Sequence, residues 1–291
     1  MSANSTAIDL SQLPLPDIIE QLSFEAIFAQ MVATVQAGAP GLFDGIPDFD
    51  GTIESDPAVK VLQTAAYYRM LDRQRVNDAV KAVLLAYARG DDLTNLGAFF
   101  NVARLPGETD DAYLQRVQLA PDGYSVAGPS GAYEYLARSA APGIKDARAT
   151  SPSPGQVLVS ILATAGDGTP TADMIAAAQA ALTPADARPL TDHPTAQAAR
   201  IIAYAIEADL YTYDGPDPAV VLATAQTAVT AKAEALRLLG YDVTRSALSA
   251  ALHVAGVQRV VLNSPAADIA CDDTQSTFCT GITVNNAGIA Q

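Results

Sequence analysis

One helical pattern dominates the first third of the chain. Ser55 or Asp56 offers an oxygen to the orphan N–H groups of a first turn, and Pro57 suits the first helical position. The pattern then runs to Arg89, and Gly90 is placed to end it. At about 1.5 Å per residue this predicts a helix roughly 50 Å long. Val76, Val80, Val83 and Tyr87 recur on one face at a 4-3-4 spacing, beside Arg69, Asp72, Arg73 and Arg75. Such a helix is longer than a small domain needs to cover its own core. Its spare face has two uses, an intersubunit helical bundle or packing on the chain's own domains. The four apolar residues are the candidate partner-interface positions.

The flanking segments read less regularly. Pro14 and Pro16 bias their neighbours toward extended backbone, and Asp17 resembles a helix start ahead of a stripe of Ile18, Leu22, Ile27 and Met31. Gly38 to Asp56 reads as a loop. Shorter helices are expected over Asp92 to Val102 and Asp110 to Leu119. From about residue 125 the pattern becomes mixed. A helix over Gly131 to Ala140 precedes two strands, Ile144 to Thr150 and Gln156 to Leu162, joined at Pro152-Ser153-Pro154-Gly155. Thr171 caps a helix that Pro184 closes. A third stretch holds an alternating strand through Ile202 to Leu210, helices begun by Asp217 and Thr244, and strands at Val257 to Leu262 and Ile282 to Val284. The expected fold is α+β, a long-helix N-terminal region followed by two small mixed α/β two-layer modules. The boundaries fall at 1–124, 125–198 and 199–291.

Composition excludes several functions. Lys and Arg total 17 against 32 Asp and Glu, a formal net charge of −15. A phosphate backbone would repel such a surface, so direct nucleic-acid binding is not expected. No apolar run approaches the roughly 18 residues of a membrane span. Met1 to Ser5 lacks the basic and apolar parts of a secretory leader, so folding in a cytoplasm is expected.

Candidate chemical motifs are incomplete. Gly128-Pro129-Ser130-Gly131-Ala132 lacks the second glycine of a nucleophile elbow, because Ala132 stands there. Asp48-Phe49-Asp50-Gly51 fails the calcium-loop register, which would put Ile46 and Pro57 at ligand positions. Gly166-Asp167-Gly168-Thr169 is too short for a phosphate loop. His193 reads as a loop residue and His253 as a structural residue on an apolar helix. Asp91-Asp92, Asp110-Asp111 and Asp272-Asp273 are sequence neighbours that point apart, which suits helix capping or solvation. Cys271 and Cys279 read as ordinary packed residues, with a bridge or a metal left open. No catalytic, cofactor-binding or metal residue is nominated, and no cofactor is expected.

Several strings together resemble one family. They include Asp9-Leu10-Ser11-Gln12-Leu13-Pro14, Arg75-Val76-Asn77 with Ala86-Tyr87-Ala88, and Arg116-Val117-Gln118-Leu119-Ala120-Pro121. Further on come Gly131-Ala132-Tyr133, Arg188-Pro189-Leu190-Thr191-Asp192, Val257-Gln258-Arg259-Val260 and Cys271-Asp272-Asp273-Thr274-Gln275. In this order the chain resembles the baseplate assembly protein J family of temperate contractile-tailed phages and R-type tailocins. Gly38 to Glu54 departs from that pattern, being rich in Gly and Asp where relatives look helical.

The resemblance implies a structural wedge subunit and no enzyme activity. Its implied partners are a second copy of itself, a second wedge protein of protein I type, the sheath-initiating wedge component and neighbouring wedges. Neither nucleic acid nor membrane is among them. Six wedges would close a ring around the hub and rearrange at their interfaces during sheath contraction. The implied location is the virion or tailocin baseplate, assembled in the bacterial host cytoplasm. Two other readings are a tail-associated cell-wall hydrolase, which needs a pocket with converging acid and base, and an unrelated oligomeric scaffold.

Overall fold

A computed structural model describes residues 8–290 apart from Asp186 and Pro216. The Met1 to Ser5 segment therefore lies outside the described residues. The fold is α+β, and the chain separates into two compact units, residues 8–99 and 100–291.

In the first unit, α1 spans Phe24–Ala37 and begins where Ser23 Oγ accepts the Ala26 N–H at 3.1 Å. The expected start at Asp17 is corrected by seven residues. The backbone of Glu20 is committed elsewhere: its N–H donates to Asn77 Oδ1 at 3.2 Å and its carbonyl accepts from Asn77 Nδ2 at 2.9 Å. Those groups are unavailable to a helical ladder. After α1, the strands β1 (Gly38–Ala39) and β2 (Phe43–Asp44) form a small hairpin, structure inside what the sequence suggests is a plain loop. Gly38 has φ of 80°, and a Cβ at Gly45 would fall 2.5 Å from the Gln36 carbonyl oxygen. Neither position admits a side chain without displacing backbone.

The long helix α2 spans Pro57–Ala82, capped by Asp56 Oδ1 accepting the Ala58 N–H at 2.8 Å. Its start matches expectation; its end does not. Val83 and Leu84 donate to the carbonyls of Val80 and Lys81, three residues back, and the chain turns. At 26 residues the helix is about 39 Å long, not 50. Leu84, Leu85 and Tyr87 are half-buried and Ala88 is buried, which one face of a straight helix could not arrange for near-consecutive residues. Gly90, with φ of 56°, opens the next helix, α3 (Gly90–Phe99), and does not end the previous one.

The second unit starts with α4 (Asp110–Leu119), whose cap is Thr109. A buried Arg116 grips Glu108 with two hydrogen bonds of 2.7 and 2.8 Å and donates to the Ala103 carbonyl at 2.7 Å. Burial pushes the Glu108 carboxyl up, but Arg116, the Leu105 N–H and the charge of Arg104 outweigh it and hold the group low. Next come α5 (Ser130–Ser139), β3 (Ile144–Ser153), β4 (Gln156–Ala163), α6 (Ala172–Leu182) and β5 (His193–Ala198). The strands lie in the order β3-β4-β5, antiparallel then parallel. Tyr133 and Ala137 from α5 and Ala178 and Leu182 from α6 pack on Val159 and Ile161. His193 thus belongs to a strand and not to a loop. Pro194 hides it from period-two reading, and an edge strand tolerates that proline.

The remaining elements are β6 (Arg200–Thr212), α7 (Pro218–Leu236), α8 (Arg245–Leu252), β7 (Val257–Ser264) and β8 (Gln275–Ile289). Central β6 pairs antiparallel with β7 and parallel with β8. Ile206, Ala208 and Leu210 meet Val221, Ala225 and Val229 of α7 and Leu248 and Leu252 of α8. Only Ala199, buried, separates β5 from β6, so the chain passes directly from one sheet into the other. Leu162, Ala199 and Leu239 form a small core at this junction. Asp146 Oδ2 there accepts the Leu239 N–H at 3.0 Å, and Arg237 donates to the carbonyls of Thr164 and Gly166 at 3.2 and 2.9 Å.

Beside this junction, buried Glu134 is pushed up to about 7 by desolvation, against the Ala149 N–H and Arg148, which favour its charge. The folded state therefore holds this proton more tightly than the unfolded chain, whose reference value is 4.5. The associated stability is full below pH 4.5 and is lost as pH rises to about 7, by about 3 kcal/mol. Glu134→Gln keeps an acceptor for Ala149 but has no proton to lose. Urea unfolding at steps from pH 4.5 to 8 should show the variant gaining on the parent by about that amount.

Candidate partner-contact surface

The side chains that could carry chemistry sit apart from one another. Asp91 and Asp92 occupy the first turn of α3, and Asp110 and Asp111 that of α4. Asp110 also pairs with Arg104 at 2.7 Å. Asp272 accepts from the N–H and hydroxyl of Thr274, and Asp50 does the same for Thr52, so both carboxyls are held below the usual range by local turns. Ser130 begins α5 behind Gly128, whose φ is 82°. His193 and His253 are exposed, and His253 ends α8 where a place within it is expected. Cys271 and Cys279 are free thiols, both raised by burial and so moved away from the reactive thiolate. Among the described residues no group of three or more His, Cys, Asp or Glu could hold a metal, and no helix is long and apolar enough to cross a membrane.

Exposed apolar surface is distributed unevenly. Of the twenty-two large hydrophobic residues exposed among the described residues, fifteen lie in residues 8–99, and of the thirty-six buried apolar residues only five do. Residues 8–99 thus hold most of the exposed large hydrophobic side chains of the described chain and few of its buried apolar ones.

On α2 the division follows the helical period. Val59, Ala66 and Asn77 are buried on one side, where α1 packs. At about 100° per residue, Val61 and Tyr68 project from the opposite side, while Val76 stands on the flank, one residue before the buried Asn77, and Val83 follows at the C-cap. All four are exposed, Val76 to 52% and Val83 to 66%. Leu71 and Tyr68 join Asp72, Arg75, Asp78 and Ala79 along an open groove of about 630 Å³. The open side of α2 therefore interleaves apolar side chains with charges of both signs.

The four sequence-nominated residues divide between two settings. Val76 lies on the open side of α2, with Val83 exposed at its C-terminal cap. Val80 is half-buried between the two sides, and Tyr87 is half-buried in the turn after the helix. The structure does not bring all four onto one helical face, because α2 stops at Ala82. Val61 and Tyr68, not among the nominated residues, are also exposed on α2, on the side away from Val59 and Ala66.

The chain is similar to known proteins along most of its length. Three family descriptions match in succession: Baseplate J-like N-terminal domain at residues 54–110, Baseplate J-like central domain at 125–198, and Baseplate J-like protein C-terminal domain at 204–285. Baseplate protein J of Escherichia phage P2 is 42% identical over 296 residues, covering 97% of this chain and 98% of that protein. A chain in the cryo-EM structure of the anti-feeding prophage (AFP) baseplate, 6-fold symmetrised, aligns with a TM-score of 0.39 at 21% identity. That alignment covers 63% of this chain and 43% of the other, so it spans less than half of the solved chain.

The two sides of α2 should respond differently to substitution. Asn77→Ala strips the Glu20 backbone of both side-chain partners and should cost about 1–3 kcal/mol in chemical denaturation. Val76→Asp, on the open side, should stay within about 0.5 kcal/mol of the parent in the same measurement.

Proposed function

The chain belongs to the baseplate J-like family, and on that footing we propose that it is a structural subunit of a contractile phage-tail or tailocin baseplate, acting through interfaces and not through bond chemistry. The observation that carries this reading is the imbalance in residues 8–99, with fifteen large hydrophobics exposed and three, Ile27, Val59 and Leu93, buried. Apolar surface of that extent is stable in solution only if something covers it.

In this reading residues 1–124 provide the partner bundle, with the open side of α2 as its seam. Residues 125–198 and 199–291 are the modules that meet neighbouring wedges and the sheath-initiating component. Two copies join one protein I-type subunit, and six such wedges close around the hub in the baseplate of the virion or tailocin, after assembly in the host cytoplasm. A heterologous contact repeated around a closing rotation produces a ring of this kind. Sheath contraction then moves the wedges as rigid bodies, repacking interfaces. The net charge of −15 fits selective docking on basic partner surfaces and opposes nucleic acid.

The test is incorporation. The double variant Val76→Asp/Val83→Asp should fold with circular dichroism and thermal unfolding like the parent, yet fall at least about tenfold in purified baseplates, read by quantitative mass spectrometry. Full incorporation of that folded variant would remove the α2 seam, and absence of the parent chain from baseplates would remove the function itself.

A further inference from the structure

The hairpin loop between α1 and α2 combines three properties that the α2 seam does not explain. It is pinned: the Ile46 N–H donates to the Val35 carbonyl at 2.9 Å, and Gln36 Nε2 donates to the Phe49 carbonyl at 2.9 Å. The contact of Gly38 with Gly45 holds its two ends together at a separation no larger residue would allow. It is apolar at the tip, where Leu42 is 85% exposed and Phe43 and Ile46 are exposed beside it. It is also acidic. From residue 1 to Val59 the chain carries nine carboxylates and no Lys or Arg. Asp44, Asp48 and Glu54 make no side-chain hydrogen bond or ion pair among the described residues, unlike Glu20, which meets Arg73 at 3.3 Å.

We infer that this hairpin is a preformed docking knob for an apolar pocket rimmed by Lys and Arg on a different subunit of the same baseplate. The inference rests on the structural-subunit reading above and adds a second contact surface with a stated partner chemistry. Pinning removes most of the ordering cost that a loop would otherwise meet on binding. Leu42 and Phe43 supply the buried anchor, and the three free carboxylates select the rim by charge. A second copy is the poorer occupant, because the chain's formal charge of −15 makes two copies repel and the carboxylates around the knob would face more carboxylates.

The experiment uses the purified full chain and, one at a time, each other purified structural subunit of its particle, with association followed by biolayer interferometry at 50 and 300 mM NaCl. Leu42→Ser/Phe43→Ser should weaken binding to one of these subunits by at least about tenfold while thermal unfolding stays unchanged. The parent's affinity for that subunit should fall about tenfold or more between the two salt concentrations. The variant Asp44→Asn/Asp48→Asn/Glu54→Gln should lose most of that salt dependence. Parent-like binding by both variants at both salts would overturn the knob, and so would a loss confined to self-association. Baseplate incorporation separates the two levels. Hairpin variants that bind and incorporate like the parent, while Val76→Asp/Val83→Asp does not, refute the knob and leave the structural role intact. A parent chain that binds no subunit and is missing from baseplates refutes both.

Discussion

Asp146 carries the joint on which the C-terminal unit is organised. Its carboxylate is buried, accepts the Ala147 and Leu239 N–H groups at 3.0 Å each, and faces Arg138 at 3.8 Å. Leu239 lies ninety-three residues further along, in the turn after α7. A buried carboxylate without such partners would cost several kcal/mol, so its satisfaction constrains where that turn sits against β3. The Arg237 contacts to Thr164 and Gly166 and the small core of Leu162, Ala199 and Leu239 act at the same joint. Two three-stranded sheets, each with its own helices, are thereby fixed to one another by polar contacts and only a modest apolar patch.

The residues 8–99 present the opposite case. Their internal contacts are specific, as the reciprocal Asn77 and Glu20 hydrogen bonds illustrate, but the apolar surface they bury is small. Specific contacts set a conformation, while buried apolar area supplies most of the stabilisation. A unit with the first and little of the second keeps its conformation while leaving apolar surface open. The family match in this part of the chain extends over residues 54–110.

What could be read from sequence followed from how local the cause was. The starts of α2, α6, α7 and α8 were legible because Asp56, Thr171, Asp217 and Thr244 cap their own helices within three residues. The core strand β6 was legible from its alternation. The end of α2, the late start of α1 and the strand β5 were not, because each depends on a distant group. The apolar run from Leu84 to Ala88 needed somewhere to bury, Glu20 needed Asn77, and β5 needed its parallel neighbour β4. Of the four nominated positions, Val76 and Val83 stand on open surface, Val80 is half-buried within α2, and Tyr87, expected on a continuation of the helix, is half-buried in the turn after it.

The single residue between β5 and β6 also has a mechanical meaning. Tension applied to one sheet passes to the other through covalent backbone at Ala199 and not through a compliant linker. On one side the load spreads into the ladder of β5 with β4, and on the other into the thirteen-residue ladder of β6 with β8, both parallel. Force directed along such strands loads many hydrogen bonds together in shear and does not peel them singly. The two sheets would move as a stiff coupling, passing a displacement onward with little lost to deformation between them.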